Sequence, residues 1–77
     1  MKQKNIKILT FYRFIYINDI YKIKKNLEII AKSTSILGTV LLANEGVNAT
    51  ISGNNKELDI FINAIKKNLK IRKIIIK

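Results

Sequence analysis

The chain has 77 residues, a net charge of +10, and neither cysteine nor histidine. A chain of this length forms one small domain, residues 1–77, which buries about 60% of the surface that its unfolded state exposes. Without cysteine or histidine it has no disulfide, no thiolate nucleophile, no zinc site of the usual kind and no histidine general base. We therefore expect no metal, no cofactor and no catalytic residue in this chain.

A membrane span or a signal peptide in the sequence would indicate where the protein is located. No apolar run approaches the roughly 18 residues of a membrane span. The N-terminal stretch MKQKNIKIL passes directly into an alternating pattern, without the apolar core or the cleavage site of a signal peptide. We expect a soluble cytoplasmic protein.

The basic charge comes almost entirely from lysine. Thirteen of the 15 basic residues are lysine, and the chain also has 17 isoleucines and nine asparagines, three residues with AT-rich codons. Proteins that contact phosphates or base edges through two parallel hydrogen bonds favour arginine, and only Arg13 and Arg72 are present. Charge alone leaves both RNA binding and a solvated lysine surface open.

The first two elements are predicted to be a strand and a helix. The stretch IKILTFYRF, residues 6–14, is rich in β-branched and aromatic residues and predicts a strand inside the sheet. Asn18 and Asp19 offer N-cap side chains to an amphipathic helix that follows. Its apolar stripe consists of Ile20, Ile23, Leu27, Ile30 and Ala31. Its solvent side carries Lys22, Lys25, Glu28 and Lys32.

Two further strands are predicted in the middle of the chain. ILGTVLLA, residues 36–43, is apolar on both faces for most of its length. VNATIS, residues 47–52, alternates, so that Asn48, Thr50 and Ser52 share one face. The two segments together predict a β-hairpin.

The loop of this hairpin is predicted to hold three residues, Asn44, Glu45 and Gly46. A glycine in the third position suits a type I turn followed by a bulge residue with positive φ. We therefore expect Gly46 to be required for its backbone conformation.

A second helix and a last strand complete the pattern. Asn54 and Glu57 are spaced as a loose capping box. The apolar stripe of the helix consists of Leu58, Phe61, Ile62, Ile65 and Leu69. Lysines near its end suit the helix dipole. The final stretch IRKIIIK, residues 71–77, predicts a short strand.

The order β-α-β-β-α-β predicts an α+β, ferredoxin-like fold with a four-stranded antiparallel sheet and both helices on one face. The predicted helical core consists of Ile20, Ile23, Leu27, Ile30, Phe61, Ile62, Ile65 and Leu69. Asn48, Thr50 and Ser52 would then lie on the open face of the sheet, within reach of a partner. The fold alone does not identify a function.

Two functions known for this topology fit the residues poorly. RNA-recognition domains stack bases on aromatic residues of the third strand, which has none here, and we expect Tyr12 and Phe14 of the first strand to pack in the core or at an edge. A free-standing acylphosphatase needs a glycine-rich phosphate loop after the first strand, whereas this chain has Arg13 with no glycine around it. A basic RNA-binding or interaction module remains the other alternative.

The run GTVLLANEGVNATISG, residues 38–53, resembles the signature of the rhodanese-related tRNA uridine hydroxylases. That signature is a hydrophobic strand, then Glu-Gly-Ile/Val-Asn-Gly/Ala-Thr, then a second strand ending near Ser-Gly. The matching residues are Glu45, Gly46, Val47, Asn48, Ala49, Thr50, Ser52 and Gly53. LTFYRFIYIND, residues 9–19, is similar to the first strand of that family, so the resemblance spans nearly the whole chain.

The resemblance implies an acylphosphatase-like N-terminal domain that is followed, in the family, by a rhodanese domain with an essential cysteine. Together the two domains hydroxylate the wobble uridine of certain tRNAs with dioxygen, an oxidoreductase reaction of tRNA modification. Since the rhodanese domain has no counterpart here, we expect an excised domain or a truncated gene product, inactive alone. The matched hairpin would be a structural signature that faces the missing domain or tRNA.

The substrate of the family and the charge of the chain both favour tRNA as a partner. Lysines on phosphates would give weak, salt-dependent binding with little sequence preference. The candidate contacts are Lys22, Lys25 and Lys32 on the first helix and Lys66, Lys67 and Lys70 on the second. Asn48 and Thr50 would affect the orientation of the tRNA more than the strength of its binding.

Overall fold

The computed structural model describes residues 6–74, which form an α+β fold with two helices and three strands. The elements are β1 (Lys7–Phe14), α1 (Ile20–Lys32), β2 (Leu37–Ala43), β3 (Gly46–Gly53) and α2 (Asn55–Leu69). The sheet is antiparallel, in the order β1-β3-β2. β3 is therefore the central strand of the described sheet and β1 lies at one edge.

One face of the sheet is covered by both helices. Ala49 of β3 lies opposite Phe11 of β1 on one side and Val40 of β2 on the other, and this row points towards the helices. The buried core consists of Phe11, Ile17, Leu27, Ile36, Val47, Ala49, Ile51, Leu58, Phe61, Ile62, Ile65, Leu69 and Ile71. Five of the eight predicted helical core residues are buried in it, and Ile20, Ile23 and Ile30 pack against it half-buried.

Both helices begin at the predicted N-caps. The Asp19 side chain accepts a hydrogen bond from the backbone N–H of Lys22 (3.2 Å), and the Asn54 side chain accepts one from the backbone N–H of Glu57 (2.8 Å). Each bond satisfies one of the backbone donors that a helix start leaves unpaired. The Glu57 carboxylate accepts from the backbone N–H of Ser35 (3.2 Å), which ties the start of α2 to the segment after α1.

The two helices pack side by side in opposite directions. Asn26 in the middle of α1 donates from its side-chain amide to the side-chain oxygen of Asn68 near the end of α2, at 2.9 Å. The Asn68 amide group donates in turn to the carbonyl oxygen of Ala64 (2.8 Å). The first half of α1 lies beside the end of α2, since Lys22 and Ile23 line one groove with Leu69. Neither helix of the described chain has the length and apolar character that crossing a membrane would require.

The hairpin between β2 and β3 is tighter than predicted. Ala43 pairs with Gly46, so the turn consists of the two residues Asn44 and Glu45, and Gly46 is the first residue of β3. The predicted positive φ of Gly46 is wrong, because the only described glycine with positive φ is Gly38. A Cβ at Gly46 would overlap the carbonyl oxygen of Arg13 on β1. This glycine is needed because two backbones approach closely, and its φ is one that other residues adopt.

Gly38 lies in β2 with a φ of 133°. A Cβ there would overlap the carbonyl oxygen of Thr50 and would lie 2.8 Å from the Cα atom of Ile51. Both its conformation and its surroundings therefore require glycine.

The last described residues differ from the predicted last strand. Residues 71–74 are not in strand conformation, and residues 75–77 lie outside the described residues. Lys70 ends α2 in the left-handed conformation (φ 58°, ψ 42°), and the backbone N–H of Ile71 returns to the carbonyl oxygen of Lys66 (3.0 Å). This turn directs Ile71 into the core. The described sheet accordingly has three strands.

Candidate functional site

The face of the sheet opposite the helices is exposed, and we call it the open face. Its residues come from all three strands and include large apolar side chains: Phe14 is 80% exposed, Leu37 72% and Leu41 61%. Strand alternation assigns ten side chains larger than alanine to the open face: Ile8, Thr10, Tyr12 and Phe14 of β1, Leu37, Thr39 and Leu41 of β2, and Asn48, Thr50 and Ser52 of β3. None of these ten residues is charged.

The strand register arranges nine of these residues in three rows across the sheet, with a β3 residue in the middle of each. The rows are Tyr12–Asn48–Leu41, Thr10–Thr50–Thr39 and Ile8–Ser52–Leu37. In the central row the hydroxyl oxygens of Thr10 and Thr50 are 3.4 Å apart. The open face thus has a polar strip along β3. In the first and third of these rows, apolar side chains lie on both sides of the strip.

Two aromatic residues lie at the hairpin end of the open face. The rings of Tyr12 and Phe14 meet edge to face, with centroids 5.6 Å apart. With Leu41 and Asn48 they help to line a shallow pocket of about 300 Å³. The structure places both aromatic side chains on the exposed surface and not in the core, because Phe11, of opposite parity on β1, points towards the helices.

The signature hairpin holds the segment that leaves β1. The backbone N–H of Ile15 donates to the carbonyl oxygen of Glu45 (3.0 Å), and that of Ile17 donates to the carbonyl oxygen of Asn44 (2.9 Å). The Asn44 side-chain amide donates back to the carbonyl oxygen of Ile17 (3.0 Å). Together with the close approach at Gly46, these bonds fix the route of the chain from β1 to α1.

The remaining signature residues divide between the two faces of the sheet. Val47, Ala49 and Gly53 are buried, whereas Asn48 and Thr50 are exposed and Ser52 is half-buried. Half of the signature therefore builds the core, and the other half forms the centre of the open face.

Three of the six candidate lysines line one groove on the helical side. The groove, of about 490 Å³, lies between the start of α1 and the end of α2, and its lining includes Lys22, Lys67 and Lys70 together with Asp19. The antiparallel packing of the helices brings these lysines together from distant parts of the chain. The other three candidates are not in its lining: they are Lys25, Lys32 and Lys66. Of these, Lys25 places its ammonium 5.3 Å from the ring centroid of Tyr21.

Neither a metal-binding cluster nor a phosphate loop is found among the described residues. Residues 6–74 contain no group of three acidic side chains placed to hold a metal ion. The Arg13 side chain, half-buried, donates from Nη1 to the carbonyl oxygen of Lys73 at 3.0 Å. No glycine follows Arg13 before α1 begins, so an acylphosphatase-type phosphate loop is not formed there.

Sequence reasoning did not select the apolar residues of the open face. Leu37 and Leu41 of β2 and Ile8 of β1 belong to it, as does Phe14. A signal was present, since β2 is apolar at positions of both parities, and a strand with only one face against the core must expose the other. The sequence alone does not say which parity faces outwards.

The chain is similar to known proteins over nearly its whole length. Residues 6–77 match the model of the UPF0176 acylphosphatase like domain. Over an alignment of 79 positions that covers the whole chain, it is 40% identical to a tRNA uridine(34) hydroxylase of Prochlorococcus marinus (strain NATL1A), of which it covers 25%.

Two further tRNA uridine(34) hydroxylases are similar. That of Wolbachia pipientis wMel is 35% identical over 84% of this chain and 24% of its own length, and that of Legionella pneumophila (strain Corby) is 33% identical over 82% and 25%. The chain thus spans about a quarter of the length of the curated relatives it matches. A family model that fits nearly every residue is decisive, and the chain belongs to the UPF0176 acylphosphatase-like domain family.

Proposed function

We propose that the chain is a single accessory domain, residues 1–77, of a tRNA uridine(34) hydroxylase, whose reaction needs the rhodanese domain. One observation carries this proposal: relatives with that name match the whole chain but only about a quarter of their own length. By the family resemblance, the complete enzyme hydroxylates the wobble uridine with dioxygen. The chain, with neither cysteine nor histidine, contributes binding and positioning to that reaction in the cytoplasm.

The complete fold, in this proposal, is the four-stranded ferredoxin-like one. Among the described strands β1 pairs with β3 on one side, and the fourth strand would lie along its other edge. The bond from Arg13 to the carbonyl oxygen of Lys73 supports a last strand beside β1, and Ile74 packs against the core. The backbone N–H groups of β1 that do not bond to β3 should then exchange slowly with deuterium. Rapid exchange at all of them would exclude a fourth strand.

For tRNA, the groove between the helices is the proposed contact. Lys22, Lys67 and Lys70 approach it from both helices, and lysines that neutralise phosphates release counterions and so favour binding. Asp19 in the same lining accepts a hydrogen bond from backbone and is the one acidic side chain there. Phosphate contacts position a nucleic acid without reading its sequence. This domain would therefore hold tRNA without selecting it.

The function is tested by a domain exchange. The matched first quarter of the Prochlorococcus hydroxylase is replaced by this chain, and hydroxylated uridine at position 34 is measured by mass spectrometry of digested tRNA. We expect activity from the chimera and none from the 77-residue chain alone. The control chimera carries an unrelated ferredoxin-like domain of similar length and should be inactive. Folded chimeras with equal activity, or with none, would refute an accessory role.

A further inference from the structure

The charge distribution separates the two sides of this domain. Fifteen of 77 residues are basic, yet the ten residues of the open face include no charged side chain. The described candidate lysines all lie on or just after the helices. A chain this rich in lysine would carry basic residues on an exposed sheet face if that face were simply solvated.

The open face is also unusually apolar. Of the ten large hydrophobic side chains that the described residues expose, five lie on it: Ile8, Tyr12, Phe14, Leu37 and Leu41. In the strand register they lie on both sides of the polar strip along β3, since each is in or next to one of the three cross-strand rows. A sheet face that exposes five large apolar side chains around uncharged polar ones is typical of an interaction site.

A nucleic acid fits this face poorly. Binding of single strands combines aromatic stacking with a positively charged groove that follows the phosphates. Tyr12 and Phe14 could stack on bases, but the pocket beside them has only two charged side chains in its lining. These are the half-buried Arg13 and the carboxylate of Glu45. An uncharged protein surface fits better, because burying the open face removes no charge from water.

We propose that the open face docks onto the remaining three-quarters of the hydroxylase polypeptide, through an uncharged surface that places apolar side chains against Leu37, Leu41 and Phe14. Its polar groups would pair with Asn48, Thr50 and Ser52 of the central strip. The proposal rests on the proposed function. The relatives continue for about three times the matched length. A surface linked covalently to this domain has an effective concentration on the order of millimolar, as is known for short linkers. This concentration favours the linked surface over a second copy of the domain as the partner.

Docking is tested by the accessibility of one thiol introduced into this cysteine-free domain, whose labelled peptide is distinct from any cysteine peptide of the rhodanese domain. Thr50→Cys lies at the centre of the open face, and the control Lys56→Cys is exposed at the start of α2. Each is labelled with a maleimide in the 77-residue chain and in the chimera, and the labelled peptide is quantified by mass spectrometry. We expect at least about tenfold slower labelling at Thr50→Cys in the chimera, and equal rates at Lys56→Cys in both proteins.

Other binding partners of the open face would give different patterns of thiol labelling. Protection in the 77-residue chain that grows with its concentration would assign the face to a second copy, and protection that appears only with added tRNA would assign it to RNA. Equal labelling of Thr50→Cys in both proteins would leave the face undocked. Each of these results overturns the proposal. If the chimera does not fold, the position aligned with Thr50 in the intact Prochlorococcus hydroxylase receives the cysteine, and fast labelling there overturns the proposal too.

A matched pair of substitutions gives a second measurement. Leu41→Gln on the open face and Ile29→Gln on α1 remove side chains of similar exposure, 61% and 65%. Leu41→Gln should lower the melting temperature of the chimera by several degrees more than Ile29→Gln, and the two should differ little in the isolated chain. An equal effect in the chimera would contradict docking. Hydroxylation is assayed separately, so an active chimera with an unprotected Thr50→Cys refutes docking alone, and a protected but inactive one refutes the function alone.

Discussion

Gly46 and Arg13 are in backbone contact: a Cβ atom on Gly46 would overlap the carbonyl oxygen of Arg13 and would lie 3.2 Å from the Cα atom of Phe14. Gly46 pairs with Phe14 at the end of the β1–β3 ladder, next to the turn whose carbonyl oxygens bind the N–H groups of Ile15 and Ile17. The glycine of the family signature therefore lets the hairpin approach β1 closely enough to fix the route of the chain into α1.

Substitution of Gly46 by alanine should destabilise the domain. Backbone atoms cannot yield as a side chain can, and overpacking of this kind lowers the free energy of unfolding by about 1–3 kcal/mol. Urea denaturation followed by circular dichroism measures the change. The control is Gly53→Ala, where the new Cβ meets the Cδ1 atom of Ile36 at 2.8 Å, the flexible end of a side chain. We expect a smaller loss for the control, and equal losses would contradict the close-approach explanation.

For Lys70, the left-handed residue at the end of α2, we predict that a substitution stabilises the domain. Lys70 adopts φ 58°, which costs a non-glycine residue about 1–2 kcal/mol, more than the entropy that glycine loses on folding. Lys70→Gly should therefore raise the free energy of unfolding by about 0.5–1 kcal/mol. Lys67→Gly, which removes the same charge inside the helix, should lower it by about 1 kcal/mol. Thermal denaturation of the two variants measures both changes in stability. Destabilisation by Lys70→Gly would show that the cap is not strained.

Local signals are enough to predict much of the fold. The N-caps at Asp19 and Asn54 and the apolar stripe of α2 depend on neighbours within one or two turns, and the structure confirms them. The role of Gly46 could not be predicted in this way, because its obstacle is Arg13, a residue far away in the chain. Turn chemistry offers a local explanation for this glycine, whereas the cause is a close approach between two strands.

The candidate site shows the same division. The polar positions Asn48 and Thr50 follow directly from alternation within β3, and they are exposed as predicted. The apolar residues beside them depend on which parity of β1 and β2 meets the helices, and that is decided by the packing of Phe11 and Val40. The grouping of lysines from both helices in one groove required knowledge of the helix packing.

The 77-residue chain should have no acylphosphatase activity. The guanidinium of Arg13 donates to the carbonyl oxygen of Lys73, and no glycine-rich loop follows β1 to supply inward-pointing N–H groups to a phosphate. Hydrolysis of benzoyl phosphate should equal the buffer blank for the wild-type chain and for Arg13→Ala. We expect Arg13→Ala to lower the stability of the domain only. Turnover above the blank that Arg13→Ala abolishes would establish an acylphosphatase.

Binding of tRNA should depend on the lysines of the groove more than on total charge. Two triple-alanine variants separate these effects: one removes Lys22, Lys67 and Lys70, and the other removes Lys25, Lys32 and Lys66. Both variants lower the net charge from +10 by three, to +7. Their melting temperatures serve to confirm that both are folded.

Titration of labelled tRNA at several salt concentrations measures how many phosphates the protein neutralises, because the logarithm of the affinity falls by ~0.9 per phosphate for each tenfold rise in salt on duplex regions. We expect the groove variant to bind tRNA more weakly. The dependence of its affinity on salt should also be shallower by ~0.9 for each phosphate that it no longer neutralises. The other triple variant should stay close to wild type in both respects. The groove has two lysines from the end of α2 and one from the start of α1, so a phosphate there is approached from two sides. Equal weakening in the two variants would mean that a diffuse lysine surface attracts tRNA. Binding that does not depend on salt would rule out phosphate neutralisation, and with it the proposed role of the groove.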